Sequence, residues 1–471
     1  MTRYLQTEVL TKTSVETLHK ASLNLISNVG MKIDGTRSLK LLVSHGAKIK
    51  ASGLVTIPEN LIEWALSVAP KELTLYTRNG EPFITVDSEK SLYYGTHADQ
   101  LEILDPYTGI SRKFLKKDIT LMCKIAQQLN NIHFILSVGM CADVPTKSQS
   151  QISFIETVKH FSKPINFSTN DVQGLRDVIN IAATVSGGLK QLQEKPFIFH
   201  YCEPIPPMTH PTESTEKLII SAEHRIPIVY MPYCMMGGTS PMSFAATLAQ
   251  CNAEVLVGLV IAQLAVEGTP FIYGAMPSVM DMRTTVGSYG APEFHLLIAA
   301  ASELARSYGL PFYGTAGCTD AKALDEQAVA EVTMEVFSTS LSRANLVHDV
   351  GVMDHCKSVS PELVVLVDEI IEQTKAYMQG VTVESEDLCL DLIEKVGPGG
   401  QYLTEMHTLD NFKRIWYPRF FSRQMQQGNN SFVRPRIKQY IADIDARKQS
   451  LSVNSAIVNE LDSWSKYLLK S

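Results

Sequence analysis

Tyrosines recur at matched points along this chain. Tyr93, Tyr94, Tyr201, Tyr233, Tyr273 and Tyr313 each close or directly follow a short apolar run, and His97, Glu203 and His348 stand in the same relation to theirs. Aromatic faces attract cations through the ring quadrupole, and a ring of them with a carboxylate behind would hold a quaternary ammonium group. A simpler reading stands beside it: a tyrosine at the end of a strand also serves as a cap whose hydroxyl reaches water. A second group lies in 310–327, LPFYGTAGCTDAKALDEQ, where an apolar run stops at Gly314 and a small-residue loop carries Cys318, Thr319, Asp320 and Lys322. Cys318 has no histidine partner evident in sequence, and no GxSxG motif occurs, so nucleophilic catalysis has little support. His348, Asp349, Asp354, His355 and Cys356 lie close together, but the CxxC or HExxH spacing of a zinc site is missing, and no metal is expected. Two glycine clusters, Gly187-Gly188 and Gly397-Pro398-Gly399-Gly400, are either turns or places where backbone approaches a ligand.

The elements that position these groups follow a rhythm. Strand-like runs fall at residues 92–96, 132–138, 164–168, 196–201, 227–231, 269–273, 311–313 and 345–347, with amphipathic segments such as 116–129, 149–160, 172–186 and 292–308 between them. From the second run onward the spacing is that of one βα unit, and alternating strands and helices argue for a parallel sheet. Seven units follow this rhythm and 92–96 can supply an eighth, which predicts a TIM-type (β/α)8 barrel, whose functional loops follow the strand C-termini. An open doubly wound sheet is the alternative, weakened by the lack of GxGxxG and GxxxxGK[ST] motifs. We expect an N-terminal helical segment over 1–85, the barrel over 86–360, and a C-terminal helical extension over 361–471.

The 471 residues are 45% hydrophobic and 19% charged, enough to build a large core without disulfides or metals. A net charge of −7 with no basic stripe argues against nucleic acid. The eight cysteines are scattered and mostly in apolar surroundings, as for thiols in a reducing compartment. No signal-peptide h-region opens the chain, and the apolar stretch 253–266 reads as a core helix rather than a membrane span. A cytoplasmic location without membrane association is expected.

Five stretches carry a resemblance: GGTSPMSFAATLAQCNAEVLVGLVIAQLAVEGTPFIYG (237–274), DMRTTVGSYGAPE (281–293), TDAKALDEQA (319–328), SPELVVLVDEI (360–370) and GPGGQYLTEMHT (397–408). In order and content they resemble the trimethylamine methyltransferase family, specifically its non-pyrrolysine branch, over nearly the whole chain. The resemblance implies a barrel that moves a methyl group from a quaternary amine, glycine betaine foremost, to the Co(I) of a cognate corrinoid protein, giving dimethylglycine. Carnitine, proline betaine and γ-butyrobetaine are alternative substrates, and a non-catalytic binding paralogue is the alternative role. No cofactor is expected to be tightly bound; the corrinoid belongs to the partner. The N-terminal helices and the region beyond Leu409 are candidates for docking that partner or for a homo-oligomer. In this frame His348 and Asp320 are the candidate catalytic residues. Tyr94, His97, Tyr201, Glu203, Tyr233, Tyr273 and Tyr313 are the candidate substrate-binding residues, with Asp320 or Glu203 facing the cation. His97, His348, Arg283 and the amides near Gly237-Gly238 and Gly314 to Gly317 are candidate donors to a substrate carboxylate.

Overall fold

Eight parallel strands close into a barrel in the computed structural model, which describes residues 5–88, 92–96, 99–137, 139–423, 433–447 and 454–470. The strands are β1 (Tyr93–Thr96), β2 (Ile132–Leu136), β3 (Ile165–Phe167), β4 (Ile198–Cys202), β5 (Ile228–Tyr230), β6 (Phe271–Gly274), β7 (Phe312–Thr315) and β8 (Leu346–Val350). Each pairs with its neighbours in sequence order, and β8 closes on β1. Every run expected from sequence supplies one of them.

The outer helices are α1 (Lys116–Gln128), α2 (Gln149–His160), α3 (Val172–Ser186), α4 (Thr212–Glu223), α5 (Phe244–Ala265), α6 (Pro292–Ser307), α7 (Glu326–Ser342) and α8 (Pro361–Met378). Their starts are written in local chemistry. Asp171, Ser243, Asp325 and Ser360 each cap the first turn of the helix that follows by accepting from a backbone N–H. Pro361 and Pro292 occupy the first helical turn, where a missing N–H costs nothing. The α8 helix, assigned from sequence to the C-terminal extension, packs between α7 and α1 and against β8.

Helix α5 is apolar on all sides, which only a buried helix tolerates. It has the length and composition of a membrane span, yet 83% of its most apolar window is buried inside the protein. The N-terminal helices Lys12–Asn24 and Glu59–Val68 cover the side of α5 that faces away from the barrel. Between those helices and β1 a hairpin of Glu72–Tyr76 and Pro82–Asp87 completes the N-terminal segment.

Two small sheets stand over the C-terminal ends of the barrel strands. One joins Met235–Met236, Ser278–Asp281 and Val286–Ser288 from the loops after β5 and β6. The other joins Glu102–Leu104, Ser111–Lys113, Val352–Met353 and Ser358–Val359 from the loops after β1 and β8. They wall the mouth of the barrel.

Candidate active site

Alternate residues of a barrel strand point inward. On β2, β4 and β7 these are Phe134, Phe199 and Tyr313, whose rings meet at centroid distances of 5.4, 6.0 and 6.3 Å. Tyr313 donates its hydroxyl to Asn166 Oδ1 on β3 at 2.7 Å, and Asn166 Nδ2 donates to the carbonyl of Phe199 at 2.7 Å. This polar link ties three strands together and fixes the Tyr313 ring.

One layer nearer the mouth lie Tyr201 on β4 and His348 on β8. Tyr313 approaches His348 at 4.9 Å, and Tyr201 lies 5.9 Å from His348 and 6.2 Å from Tyr313. His348 Nδ1 is 2.7 Å from the carbonyl of Gly314, which can only accept, so Nδ1 carries the proton. That leaves Nε2 facing Asp349 Oδ1 at 3.5 Å.

Three carboxyls surround this aromatic trio. Asp349 is buried at the end of β8, its backbone held at φ 75°, a left-handed conformation rare for a residue with a Cβ. Burial pushes its carboxyl pKa up, His348 nearby opposes the shift, and Oδ1 has no hydrogen-bond partner among the described residues. Glu203, just past β4, accepts from the Tyr201 hydroxyl at 3.2 Å. Asp99, just past β1, accepts from the Ser168 hydroxyl. Glu203 and Asp99 are open to solvent, yet protein surrounds them closely enough that burial raises both above their usual range. A recess that admits solvent to these two carboxyls, while Tyr313, His348 and Asp349 beside them stay buried, accounts for both properties. Asp99 raises Glu203 further, while Lys217 lowers both. The Lys217 amine donates to the carbonyl of Thr169.

The other sequence candidates are placed differently. Tyr94 turns outward and its hydroxyl pairs with Ser340 on α7 at 2.9 Å. Tyr273 also turns outward, donating to Asn252 on α5 at 2.8 Å. Tyr233 lies in the wall of the mouth, its hydroxyl 3.3 Å from Ser278 Oγ. Asp320 accepts from the amides of Tyr289 at 2.8 Å and Gly290 at 3.1 Å, from the Ser288 hydroxyl, and meets His355 Nδ1 at 3.0 Å. Both its oxygens pin the loop after β6. Arg283 is exposed at a turn of that loop. The amides of Gly237 and Gly238 bond to Ser240 and Met235 carbonyls within their own turn. His97 lies outside the described residues.

Cys318 is fully buried, and burial together with Glu335 pushes its thiol well above the ordinary value. It is not a nucleophile at neutral pH. Glu335 on α7 accepts from the Cys318 amide at 2.7 Å, and burial raises its pKa to about 8. His295 Nδ1 lies 3.7 Å from Glu335, but burial lowers the imidazole to about 4. Burial thus shifts both groups toward their neutral forms and works against an ion pair despite their spacing. Among the described residues no group of three His, Cys, Asp or Glu side chains is placed to hold a metal ion. Gly397 to Gly400 lie far along the chain from this cluster, where positive φ at Gly397 and Gly399 reverses the backbone between two short helices.

Asn166, Asp99 and Asp349 were not singled out from sequence as binding or catalytic groups. A polar residue inside the run INF and the acid closing THAD were the available signals, and Asp349 adjoins His348.

The match to a family model extends over residues 1–431, and that model describes trimethylamine methyltransferase (MTTB). The chain is 31% identical over 414 residues to a glycine betaine methyltransferase of Desulfitobacterium hafniense (strain Y51), covering 87% of this chain and 85% of the relative. It is 28% identical over 415 residues to trimethylamine methyltransferase MttB of D. hafniense (strain DSM 10664 / DCB-2), covering 87% and 83%. Among solved structures, the monomethylamine methyltransferase MtmB of Methanosarcina barkeri superposes with a TM-score of 0.54 at 14% identity, covering 91% of this chain and 87% of that one. This last likeness supports the barrel with its flanking helices. With the family model matched over most of its length, the chain belongs to the trimethylamine methyltransferase family and is an enzyme of the methyltransferase type.

Proposed function

We propose that this enzyme takes a methyl group from a quaternary ammonium acid, glycine betaine foremost, and passes it to the Co(I) of a separate corrinoid protein. The observation that carries the reading is the cluster itself: Tyr201, Glu203 and Asp99 are accessible to solvent, and the buried Tyr313, His348 and Asp349 pack beside Tyr201. Such a lining favours a cation with apolar substituents. The glycine betaine methyltransferase among the relatives supports the same substrate class.

The chemistry asks little of the protein beyond positioning. The N–CH3 bond breaks as the carbon bonds to cobalt, and the electron pair stays on nitrogen. The product is a neutral tertiary amine, so no proton is supplied to it. Tyr201, backed by the buried Tyr313, presents its ring to the N-methyl groups and Glu203 balances the charge. His348, its Nδ1–H committed to Gly314, packs against Tyr201 and Tyr313 and holds those rings in place. Orientation of one methyl toward the open mouth makes the transfer effectively unimolecular. The corrinoid supplies the nucleophile and is held by its own protein, which must cover the mouth. We place the enzyme in the cytoplasm, where its eight cysteines, six of them buried, remain thiols.

Methyl transfer from glycine betaine, carnitine, γ-butyrobetaine and trimethylamine to Co(I) cobalamin, followed by the cobalt absorption change, tests this. Transfer from glycine betaine and none from trimethylamine is expected. Transfer from trimethylamine alone would overturn the quaternary reading. Betaine binding with no methylation of cobalt would favour the non-catalytic paralogue.

A further inference from the structure

The chain leaves the barrel at the end of α8 and returns to it at Arg419. Arg419 pairs with Asp368 on α8 at 2.7 Å, and the Phe420 amide bonds Glu369 at 2.8 Å. Between them, residues 379–417 contain not one buried residue. This arm is nevertheless structured. Two short helices, α9 (Leu390–Val396) and α10 (Met406–Asn411), fold against each other across the Gly397 to Gly400 reversal. Lys395 pairs with Glu405 at 2.7 Å, and Cys389 Sγ meets His407 Nε2 at 3.3 Å.

Twelve large apolar side chains of the arm are exposed, Val381 at 85% and Leu403 at 82% among them. Their exposed area sums to on the order of 1,000 Å², the same order as the ~800 Å² per partner in a standard interface. Helices of six and seven residues have too little internal hydrogen bonding to persist in water alone. The arm therefore has the area and the need for a partner.

Its charges say which partner. Residues 384–394 carry Glu384, Glu386, Asp387, Asp391 and Glu394 and no base, whereas the other end of the arm carries Lys413 and Arg414, with Arg423 just beyond it and Arg419 already committed to Asp368. Around a two-fold axis the same surface meets itself reversed, so an acidic end is set against a basic end. We propose that the arm 379–417 docks against a second copy of this chain in an isologous, apolar-centred contact.

Sedimentation velocity of the full chain at 1 to 50 µM, beside a variant carrying Leu403→Asp and Met406→Asp, tests the proposal. Wild type is expected to sediment at twice 52.2 kDa or a higher multiple, and the variant to lose that association at least tenfold. Both substituted positions are exposed, so the far-UV spectrum should not change. A monomeric wild type would overturn the proposal, including one that assembles only when the corrinoid protein is added. A wild-type oligomer that the double substitution leaves intact would overturn it too. Should the variant misfold, hydrogen exchange of wild type decides. Amides 379–417 must lose protection on dilution, and protection independent of concentration would refute the contact.

Discussion

At the scale of single residues, the recess couples cation binding to proton loss. Burial holds Glu203 and Asp99 protonated above the usual carboxylate range. A cation is held best by the ionised form. Without substrate, the raised values mean that the folded state keeps protons the unfolded chain has released. Its stability contribution is therefore present below the unfolded value and is lost as pH rises through the folded one. Substrate binding runs the other way. The KM for a quaternary substrate should fall as pH climbs from about 4.3, the ordinary glutamate value, toward neutrality. Glu203→Gln should raise KM about tenfold, roughly 1.4 kcal/mol, and flatten that pH profile, with kcat at saturation less affected. A KM that ignores pH in wild type, or a variant with unchanged KM, would remove Glu203 from the cation site. The sequence marked Glu203, Tyr201, Tyr313 and His348 by their places at strand ends. It did not say which tyrosines look inward. Tyr201 and Tyr313 do, whereas Tyr94 and Tyr273 reach Ser340 and Asn252 on the outer helices. A barrel strand is buried on both faces, so its apolar run does not carry the phase of the alternation. The register shift between Tyr94 and Gly95 moves the phase again.

At the scale of elements, the eight strands and the helices between them were legible because each carries its own punctuation. Capping residues, prolines and glycines mark the ends, and the repeat sets the order. What the sequence withholds is fit. Gly258 sits midway along α5, where a Cβ would come within 2.1 Å of Tyr230 Cδ1 on β5. Alanine there gains up to ~1 kcal/mol of helix propensity but must displace a fully buried ring, at a cost of about 1–3 kcal/mol. The Tyr230 hydroxyl is already committed to His210 at 2.8 Å, which leaves the ring little freedom to move. Gly258→Ala should therefore lower the urea midpoint of unfolding, with the net loss near 1–2 kcal/mol. A midpoint that rises would show that the α5 seam on β5 is looser than this geometry. The placement of α8 follows the same logic. Its apolar pattern marks a helix, but only contact with α7, α1 and β8 places it in the ring.

At the scale of the whole molecule, the body and the arm differ in what holds them. The barrel with its covering helices forms one continuous apolar core, whereas residues 379–417 contribute nothing to it. A helical pattern in the sequence does not say whether a helix packs on its own chain, so the arm reads simply as part of a helical extension over 361–471. Excising 380–417 should accordingly spare the body. From Asp368, where Arg419 is anchored, to Met378 is ten residues of helix, about 15 Å. A linker of about eight glycine and serine residues spans that distance, at roughly 5–6 Å times the square root of its length. The excised protein should keep its circular dichroism spectrum and melt within about 3 °C of wild type at sub-micromolar concentration, where both are dissociated. As concentration rises, wild type alone should gain stability, because association stabilises only the chain that can associate. A melting point equally depressed at every concentration would mean that the arm braces its own barrel, and that its apolar face is covered from within the chain.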